Sequence, residues 1–393
     1  MGTTLVVNPG SSSKKYALYN DGEPVIEIRF EKTNTGFETC LSVIGGQQTC
    51  ESVSAIGFSD AFSKVFSSTR DYLKQANLSE LDSIVVRVVS PGTFFQKHAE
   101  VDKEYLDQLN KRQASAPLHI PTILKEIKSI QKHYPKIRII AASDSAFHAD
   151  MPPQARDFSI AVKDVKKFDI HRFGYHGLSV ASVVRRIHSV IGQDPERMVV
   201  CHIGNGVSVT AVKGGKSVDT TMGFSPTSGL PMGSRAGDID SAALLELMRV
   251  KNFRPTDAEM YLNTNGGLSG MAQDSDIRRL LDRRSKHDPV AVQALDTFAY
   301  NIQKAVAAMT VALGGLDVLV LTATASVRSS ELRCLILSGL THLGVDVHQD
   351  RNDLFVGKEG VVSSNNSQIK VVVMKTDEMG EMEQVARQLN LPN

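Results

Sequence analysis

The chain has 393 residues, more than the roughly 250–300 residues at which a single hydrophobic core stops growing, so we expect two domains. Its 44 Lys and Arg residues balance 43 Asp and Glu residues, which excludes the charge excess typical of proteins that bind nucleic acid or a membrane surface. The cysteines lack both CxxC spacing and the density of a disulfide scaffold, so we expect free thiols and a reducing compartment, with the cytoplasm as the default location.

Apolar runs alternate with helix-period patterns along the chain. The predicted core strands are Ile84–Val89, Ile139–Ala142, Met198–Cys201, Val318–Leu321 and Ile369–Met374. The predicted helices are Lys103–Arg112, Thr122–His133, Ser179–Ile191, Ser241–Lys251, Val290–Leu313 and Ser330–Leu343. The apolar stretch Ala305–Ala325 is interrupted by Gly314-Gly315 and Asp317, which predicts a buried helix followed by a buried strand and no membrane span. The alternation predicts an α/β fold.

Two predicted hairpins with turns of small residues indicate a duplicated fold. Thr3–Tyr19 has the pattern of a strand, a turn rich in Gly and Ser and a second strand, and Met198–Val212 repeats this pattern around Gly204-Asn205-Gly206. A further hairpin turn is predicted at Gly214-Gly215. Because backbone N–H groups can approach an anion closely in such turns, both are candidate phosphate sites. Neither has a Walker or dinucleotide-binding motif, and such a hairpin is more often an ordinary turn.

Five polar side chains stand at predicted strand ends or in turn-rich segments. Arg87 lies inside an apolar strand, where a charge is costly unless it is paired or belongs to a site. Asp144 follows a core strand, at the edge where open α/β sheets bind ligands. His119, His176 and Arg235 lie in short segments rich in turns or glycine. Each also has a structural explanation, such as an ion pair, a helix cap or a core histidine, but together they supply the cations and the acid that phosphoryl transfer needs.

Ten short segments carry a family resemblance. They are Asn8–Lys15, Ala116–His119, Asp144–His148, Phe173–Gly177, His202–Gly206, Asp219–Phe224, Met232–Arg235, Gly237–Asp240, Ser275–Arg278 and Thr376–Glu378. In this order they resemble the acetokinase family of acetate and propionate kinases. The resemblance implies duplicated ribonuclease-H-like α/β domains of the acetate and sugar kinase, Hsp70 and actin superfamily, with the active site in the interdomain cleft. It implies an acid- and phosphoryl-binding domain of residues 1–148 with about 378–393, and a nucleotide-binding domain of residues 149–377.

The resemblance implies a Mg²⁺-dependent acetate kinase, which transfers a phosphoryl group reversibly between ATP and acetate by direct in-line displacement and yields acetyl phosphate and ADP. It implies small-molecule partners and a homodimer. The implied catalytic residues are Asp144, His176 and Arg235. The implied substrate-binding residues are Arg87, Val89, Leu118, His119 and Pro226. The implied nucleotide-binding residues are Ser11, Ser13, Lys15, His202, Gly204, Asn205, Gly206, Asp276, Ile277 and Arg278, and the implied Mg²⁺ ligands are Asn8 and Glu378.

The donor site departs from the family pattern. The family carries a Gly-Ile-Gly-Glu-Asn loop against the nucleotide, and the aligned residues here are Thr324–Arg328. Side chains then occupy positions where the backbone is expected to approach the nucleotide, so pyrophosphate or inorganic phosphate stays open as the donor. A protein that binds a nucleotide or an acyl phosphate as a regulator, without turnover, also stays open, although the retained catalytic set argues against it.

The acid site departs from the pattern at two places. Ser90-Pro91-Gly92 stands where the family has His-Gly-Gly, and Ile120 replaces an asparagine. The implied apolar wall comprises Val89, Leu118, Tyr175 and Pro226. Val89 leaves less room than the smaller residue of propionate-preferring relatives, so we expect acetate to be favoured over propionate. This preference is modest, because a methylene group is worth about 1–3 kcal/mol of discrimination.

Overall fold

The structure is a computed structural model that describes residues 2–10, 13–33 and 35–390. The chain divides into two units, unit 1 with Met1–Ala146 and Asp377–Asn393, and unit 2 with Phe147–Thr376. Strands and helices alternate in both units, which confirms the α/β prediction. Across the described residues, we find no helix with the length and apolar character needed to cross a membrane.

The described residues form the following elements. The strands are β1 (Thr3–Pro9), β2 (Ser13–Asn20), β3 (Glu23–Lys32), β4 (Phe37–Val43), β5 (Gln48–Val53), β6 (Ser83–Val88), β7 (Ala99–Glu100), β8 (Arg138–Ser143), β9 (Arg197–Ile203), β10 (Val207–Lys213), β11 (Lys216–Thr220), β12 (Val318–Thr322), β13 (Gly360–Val361) and β14 (Lys370–Met374). The α-helices are α1 (Ala55–Ser59), α2 (Ala61–Gln75), α3 (Lys103–Lys111), α4 (Ile120–His133), α5 (Pro153–Arg156), α6 (Val162–Phe168), α7 (Gly177–Ile191), α8 (Ser241–Lys251), α9 (Pro255–Thr264), α10 (Gly267–Ala272), α11 (Ile277–Ser285), α12 (Pro289–Leu313), α13 (Thr324–Arg328), α14 (Ser330–Leu337), α15 (Gln349–Leu354) and α16 (Glu378–Asn390). Short 3-10 helices span Thr93–Phe95, Gln113–Ser115, Ala146–His148 and Ser338–Leu343.

Among its described residues, unit 1 is centred on an eight-stranded sheet with the order β5-β4-β3-β2-β1-β6-β8-β7. Strands β1, β6 and β8 are parallel, and β2 to β5 continue the sheet as antiparallel strands. Alternation along β2 buries Tyr16 and Leu18 in a core that also contains Phe62 of α2 and Ile127 of α4. Helix α16 packs against β1, β6 and β8.

Unit 2 contains a six-stranded sheet with the order β11-β10-β9-β12-β14-β13. Its parallel strands β9, β12 and β14 are almost wholly buried, which explains why they read as continuous apolar runs and lack an alternating pattern. The long helix α12 packs against β9, β10 and β11. It ends at Gly314, whose φ of 71° lies in the left-handed region that favours glycine at a helix end.

The two sheets repeat one topology. The strand order β3-β2-β1-β6-β8-β7 of unit 1 matches β11-β10-β9-β12-β14-β13 of unit 2, with the same parallel and antiparallel neighbours throughout. Hairpin β1–β2 corresponds to hairpin β9–β10, so the duplication predicted from the two hairpins is confirmed. The turn at Gly214-Gly215 and the helix and strand within Ala305–Ala325 are also confirmed.

Two expectations are wrong in part. The predicted helix Ser330–Leu343 is α-helical only to Leu337 and continues as a 3-10 helix. The expectation of free thiols holds for Cys201 and Cys334, but Cys40 and Cys50 form a disulfide. These two cysteines face each other on antiparallel strands β4 and β5, with Cα atoms 4.1 Å apart. Strand register brings them together, and a search for CxxC spacing cannot detect it.

Candidate functional site

The carboxyl ends of three parallel strands carry polar side chains in unit 1. Asn8 lies at the end of β1, Arg87 lies near the end of β6, and Asp144 directly follows β8. Because parallel strands end at the same edge of a sheet, these side chains come together. Helix α16 begins there with Glu378, whose negative charge is favoured in the first turn of a helix. We call these four residues the unit 1 cluster.

Arg87 is the centre of the unit 1 cluster. Its Nη2 donates to Asp144 Oδ2 at 3.0 Å, and its Nη1 donates to Glu378 Oε2 at 3.4 Å and to Asn8 Oδ1 at 3.5 Å. Burial alone would lower the pKa of the guanidinium, but the charges of Asp144 and Glu378 and the hydrogen bond to Asp144 outweigh it and raise the pKa. Arg87 therefore stays charged and is held between two carboxylates.

The unit 1 cluster also offers oxygen ligands for a metal ion. Mg²⁺ prefers carboxylate and other oxygen donors. The two predicted ligands are in contact, because Asn8 Nδ2 donates to Glu378 Oε2 at 3.4 Å. Asp144 provides a second carboxylate, whose side chain is only 1% exposed. This donor set fits the ion that the resemblance implies.

In unit 2, the start of α7 and the end of β9 bring two histidine rings together. His176 precedes α7 with a φ of 60°, in the left-handed region. Its ring stacks on that of His202, with ring centroids 4.0 Å apart. Serine hydroxyls lie at hydrogen-bond distance from both Nδ1 atoms, Ser208 at 3.0 Å from His176 and Ser179 at 2.8 Å from His202. These contacts orient both rings and direct each Nε2 away from its serine.

A glycine in the β9–β10 turn lets Arg235 approach His176. A Cβ atom on Gly206 would lie 3.0 Å from His176 Nε2 and 3.5 Å from Arg235 Nη1, so a larger residue would crowd both groups. Arg235 Nη1 also donates to the Pro226 carbonyl at 3.0 Å. The structure therefore gathers a second set of predicted residues. We define the unit 2 cluster as His176, His202, Gly204, Asn205, Gly206 and Arg235.

Similarity to known proteins extends over almost the whole chain. A family model described as the Acetokinase family matches residues 3–384. This chain belongs to the acetokinase family. It is 33% identical over 382 residues to an acetate kinase of Thermoanaerobacterium thermosaccharolyticum, covering 95% of both chains. It is 34% identical over 384 residues to an acetate kinase of Thermotoga maritima, again covering 95% of both chains.

Solved structures of named kinases share the fold. A propionate kinase from Francisella tularensis superimposes with a TM-score of 0.88 at 29% identity, covering 98% of this acetokinase chain and 99% of its own. An acetate kinase from Porphyromonas gingivalis gives a TM-score of 0.85 at 29% identity, covering 99% and 100%. The family resemblance and the two-unit α/β fold are confirmed, and membership makes the chain a kinase and hence a phosphotransferase.

Other predicted residues of the acetokinase site lie on the β1–β2 hairpin. Lys15 is exposed on β2 and pairs with Asn8 of β1, and Ser13 begins β2. Ser11 lies outside the described residues. Sequence reasoning missed the neighbouring Lys14, which faces the core and forms a buried ion pair.

The Lys14 ion pair lies beneath the hairpin. Lys14 Nζ is 3.0 Å from Glu126 Oε2 of α4, and the Tyr16 hydroxyl donates to Glu126 Oε1 at 2.6 Å. Burial, together with the charge of Glu126, raises the pKa of Tyr16. The alternation along β2 is the signal that would have separated buried Lys14 from exposed Lys15.

The residues predicted to form the apolar wall belong to different units. Val89 directly follows β6, and Leu118 and His119 directly precede α4, all in unit 1. Pro226 lies in unit 2, where its carbonyl accepts from Arg235. Tyr175 is fully buried in unit 2 and its hydroxyl donates to the Phe224 carbonyl at 2.6 Å.

The segment Thr324–Arg328, expected as an altered loop, is the short helix α13. Ser326 is fully buried and its hydroxyl donates to the Thr322 carbonyl at 2.6 Å, so this side chain faces the core. Thr324 and Arg328 are exposed. The expectation that both replaced glycines put side chains against the nucleotide is therefore wrong for Ser326. Helix α13 starts beside the β9–β10 turn, because a Cβ on Gly204 would lie 3.6 Å from the Cβ of Ala323.

Sequence reasoning also missed Arg333, a fully buried arginine of α14 that holds α13 in place. Its Nη1 donates to the Ser326 and Val327 carbonyls at 2.5 and 3.2 Å, and its Nε donates to Asn352 Oδ1 at 2.7 Å. Burial lowers the pKa of this guanidinium. Among the described residues, the groups that accept hydrogen bonds from Arg333 are neutral, and no salt bridge joins it to a carboxylate.

Three predicted nucleotide residues lie at the start of α11. Asp276 caps this helix by accepting from the Arg278 backbone N–H at 3.0 Å, and it also accepts from the Arg278 side chain at 2.7 Å. The bond to the Arg278 side chain is the main reason why the pKa of Asp276 falls to about 2. Ile277 is largely buried. The side-chain partners of Asp276 and Arg278 lie within residues 274–279, so hydrogen bonds do not bring them to the unit 2 cluster.

Proposed function

We propose that this chain transfers a phosphoryl group reversibly between ATP and acetate, forming acetyl phosphate and ADP. The observation that carries the proposal is that each of the two duplicated units gathers one of the two sets of groups that this reaction needs. Unit 1 supplies a paired arginine and carboxylates, and unit 2 supplies histidines, an arginine and a glycine turn. An arginine can bind a carboxylate acceptor, and histidines, arginine and backbone N–H groups can stabilise the charge of a phosphoryl group.

Arg87 is proposed to bind the carboxylate of acetate. Its planar guanidinium can hold two carboxylate oxygens, and its buried Nε has no hydrogen-bond partner among the described residues. Asp144 and Glu378 keep the guanidinium charged and fix its plane. Acetate is already a nucleophile, so the reaction needs no strong base. Mg²⁺ held by Asn8, Asp144 and Glu378 would neutralise charge on the donor phosphates.

The unit 2 cluster is proposed to stabilise the phosphoryl group in transit. An acetate oxygen forms a bond to the terminal phosphorus while the bond to the ADP oxygen breaks, and negative charge spreads over three equatorial oxygens. When Ser208 donates to His176 Nδ1, the Nε2 atom carries the hydrogen and donates to one of these oxygens. Arg235 supplies a positive charge beside it.

An assay of acetyl phosphate formation tests this proposal. Acetate would be incubated with Mg²⁺ and, in parallel, ATP, GTP or pyrophosphate, and then ATP with propionate. We expect the highest kcat/KM with ATP and acetate. Turnover with pyrophosphate alone would show that pyrophosphate, and not ATP, is the donor. This alternative stays open because α13 lacks the glycines of the family loop. A higher kcat/KM with propionate would replace the acceptor. Absence of turnover with every donor would contradict the kinase proposal and favour a regulator that only binds.

We also propose that two copies of the chain form a homodimer through unit 2. Helix α8 has no buried residue, and its Leu245 and Val250 are 60% and 68% exposed, with Ile239 and Met260 exposed nearby in the sequence. Several large apolar side chains exposed in one segment are typical of an interface. We expect light scattering to give twice the chain mass, and Leu245→Glu to give a folded monomer. A wild-type monomer at micromolar concentration would contradict the dimer.

The cytoplasm is the proposed location, because ATP is the proposed donor and is kept there. The disulfide between Cys40 and Cys50 is unusual for that compartment. Thiol titration of protein that is purified without a reductant and then denatured tests the point, because Cys201 is buried in the folded protein. Four free thiols after purification from cytoplasm would agree with a reduced chain, and two would agree with the disulfide.

A further inference from the structure

We propose that His148 is a positioning residue that holds the His176 ring in its working place. This inference rests on the proposed function of His176. His148 belongs to the Asp144–His148 segment, but none of the roles above uses it. Its side chain is fully buried in unit 2, so it cannot itself contact a phosphoryl group.

Both ring nitrogens of His148 contact named groups. Nδ1 lies 2.8 Å from the Ser217 hydroxyl of β11, and Nε2 lies 3.1 Å from the Tyr175 carbonyl. A carbonyl oxygen only accepts, so Nε2 must carry a hydrogen. In the neutral ring, Nδ1 then accepts from Ser217. The geometry therefore assigns one tautomer, with its hydrogen directed at the backbone just before His176.

The backbone before His176 is tightly turned against the His148 ring. Gly174 has a φ of 74°, and a Cβ there would lie 2.6 Å from two atoms of the His148 ring. His176 itself has a φ of 60°. Glycine adopts this region readily, whereas the left-handed conformation of His176 is costly unless the surrounding structure supports it.

The Tyr175 carbonyl transmits the position of His148 to His176. Because the peptide unit is planar, fixing this carbonyl oxygen also fixes the backbone N of His176. The His176 ring then meets Ser208 and the ring of His202. A shift of about 1 Å at a reacting group can lower turnover about 100-fold, so loss of the His148 contact should reduce kcat.

Matched variants separate positioning from general stability. His148→Gln can place an amide N–H near the former Nε2 and donate to Tyr175, whereas the shorter His148→Asn reaches only the Ser217 side. Ser217→Ala removes the other contact and serves as the control. We expect kcat within about threefold of wild type for His148→Gln and Ser217→Ala, and about 10–100-fold lower for His148→Asn, with the KM for acetate little changed.

Nitrogen-15 spectra of the histidines supply a readout apart from activity. We expect an Nε2–H tautomer for His148 in the wild-type protein, and shifted His176 signals in His148→Asn but not in His148→Gln. An Nδ1–H tautomer, or equal kcat for the Asn and Gln variants, would overturn the proposal. If His148→Asn does not fold, the tautomer of His148 in the wild-type protein still tests the proposal, together with kcat of the other two variants. If the wild-type protein has no turnover, the proposed function fails, while the His176 signals still report positioning.

Discussion

The two units hold the cations of their clusters in different ways. In unit 1, Arg87 lies between the carboxylates of Asp144 and Glu378. In unit 2, Arg235 donates to the carbonyl of Pro226, and hydroxyls orient the histidines. The contrast recurs in the core, where Lys14 of unit 1 pairs with Glu126 and Arg333 of unit 2 donates to carbonyls and an amide. The sheet topology is duplicated, but the side chains that hold these cations are not.

This difference suggests a division of labour. A cation compensated by carboxylates suits recognition, because its orientation is fixed while the net local charge stays low. A cation held by neutral groups keeps its charge available for an anionic transition state. Replacement of Arg87 should then act mainly on the KM for acetate, and replacement of Arg235 mainly on kcat.

Replacing Arg235 is the strongest test of the unit 2 assignment. We expect Arg235→Ala to lower kcat by about 100–1,000-fold, because the role proposed for its positive charge is to stabilise the transition state. Thermal unfolding should change little, since the side chain donates to a backbone carbonyl at a partly exposed site. A wild-type kcat in a folded Arg235→Ala protein would remove Arg235 from the mechanism.

A conservative change tests recognition in unit 1. We expect Arg87→Lys to raise the KM for acetate by about 10–100-fold, because lysine keeps the charge but cannot bind a carboxylate bidentately. The KM for ATP should change less. If the KM for ATP rises while the KM for acetate does not, the division between the two units is wrong.

Glu126→Gln sharpens the comparison of the two buried cations. It leaves the charge of Lys14 buried without a carboxylate, so we expect a loss of about 3–5 kcal/mol in the free energy of unfolding, measured by denaturant titration. Glu51→Gln removes an exposed partner of Lys64 and is the matched control, with an expected loss below about 1 kcal/mol. Equal losses for the two variants would show that burial of the pair is irrelevant.

The smallest expected effect is at the start of α13. Ala323 has a φ of 71° and a ψ of 173°, a region that essentially only glycine adopts, at a cost of about 1–3 kcal/mol. Glycine costs about 0.5–1 kcal/mol of extra conformational entropy. We therefore expect Ala323→Gly to stabilise unit 2 by about 1 kcal/mol, measured as a higher denaturation midpoint. A lower midpoint would mean that the surrounding structure does not strain this residue.

Much of the fold follows from local patterns. The apolar runs around Ile139–Ala142 and Val318–Leu321 are long enough to identify core strands, and the two Gly-containing turns reveal the duplication. Strands β4 and β5 were missed because their alternation is weak and β5 is almost wholly exposed. The disulfide was missed for the same reason, since it depends on the register of those strands.

The site was less accessible to sequence reasoning than the fold. Arg87 was found because a charge inside an apolar strand is costly, and Asp144 was found because it follows a core strand at the edge where open α/β sheets bind ligands. Arg333 was missed because only three-dimensional packing shows that an arginine on α14 has turned into the core. The helical form of α13 was missed because five residues are too few to show a helical period, and the contacts of Arg333 to their carbonyls are not visible in the sequence. The roles of the predicted residues stay predictions until the variants are measured.

Helix α16 has a consequence for synthesis of the protein. Unit 1 takes its sheet from the first part of the chain, but α16 and Glu378 come from the last part, after all of unit 2. On the ribosome, the face of β1, β6 and β8 therefore stays exposed until about residue 390 has emerged and α16 can pack against it. Unit 2, in contrast, is formed by one continuous segment of the chain. We expect released chains that end at Thr376 to protect unit 2 from protease while leaving unit 1 sensitive. Equal protection of both units would mean that the first unit matures without its final helix.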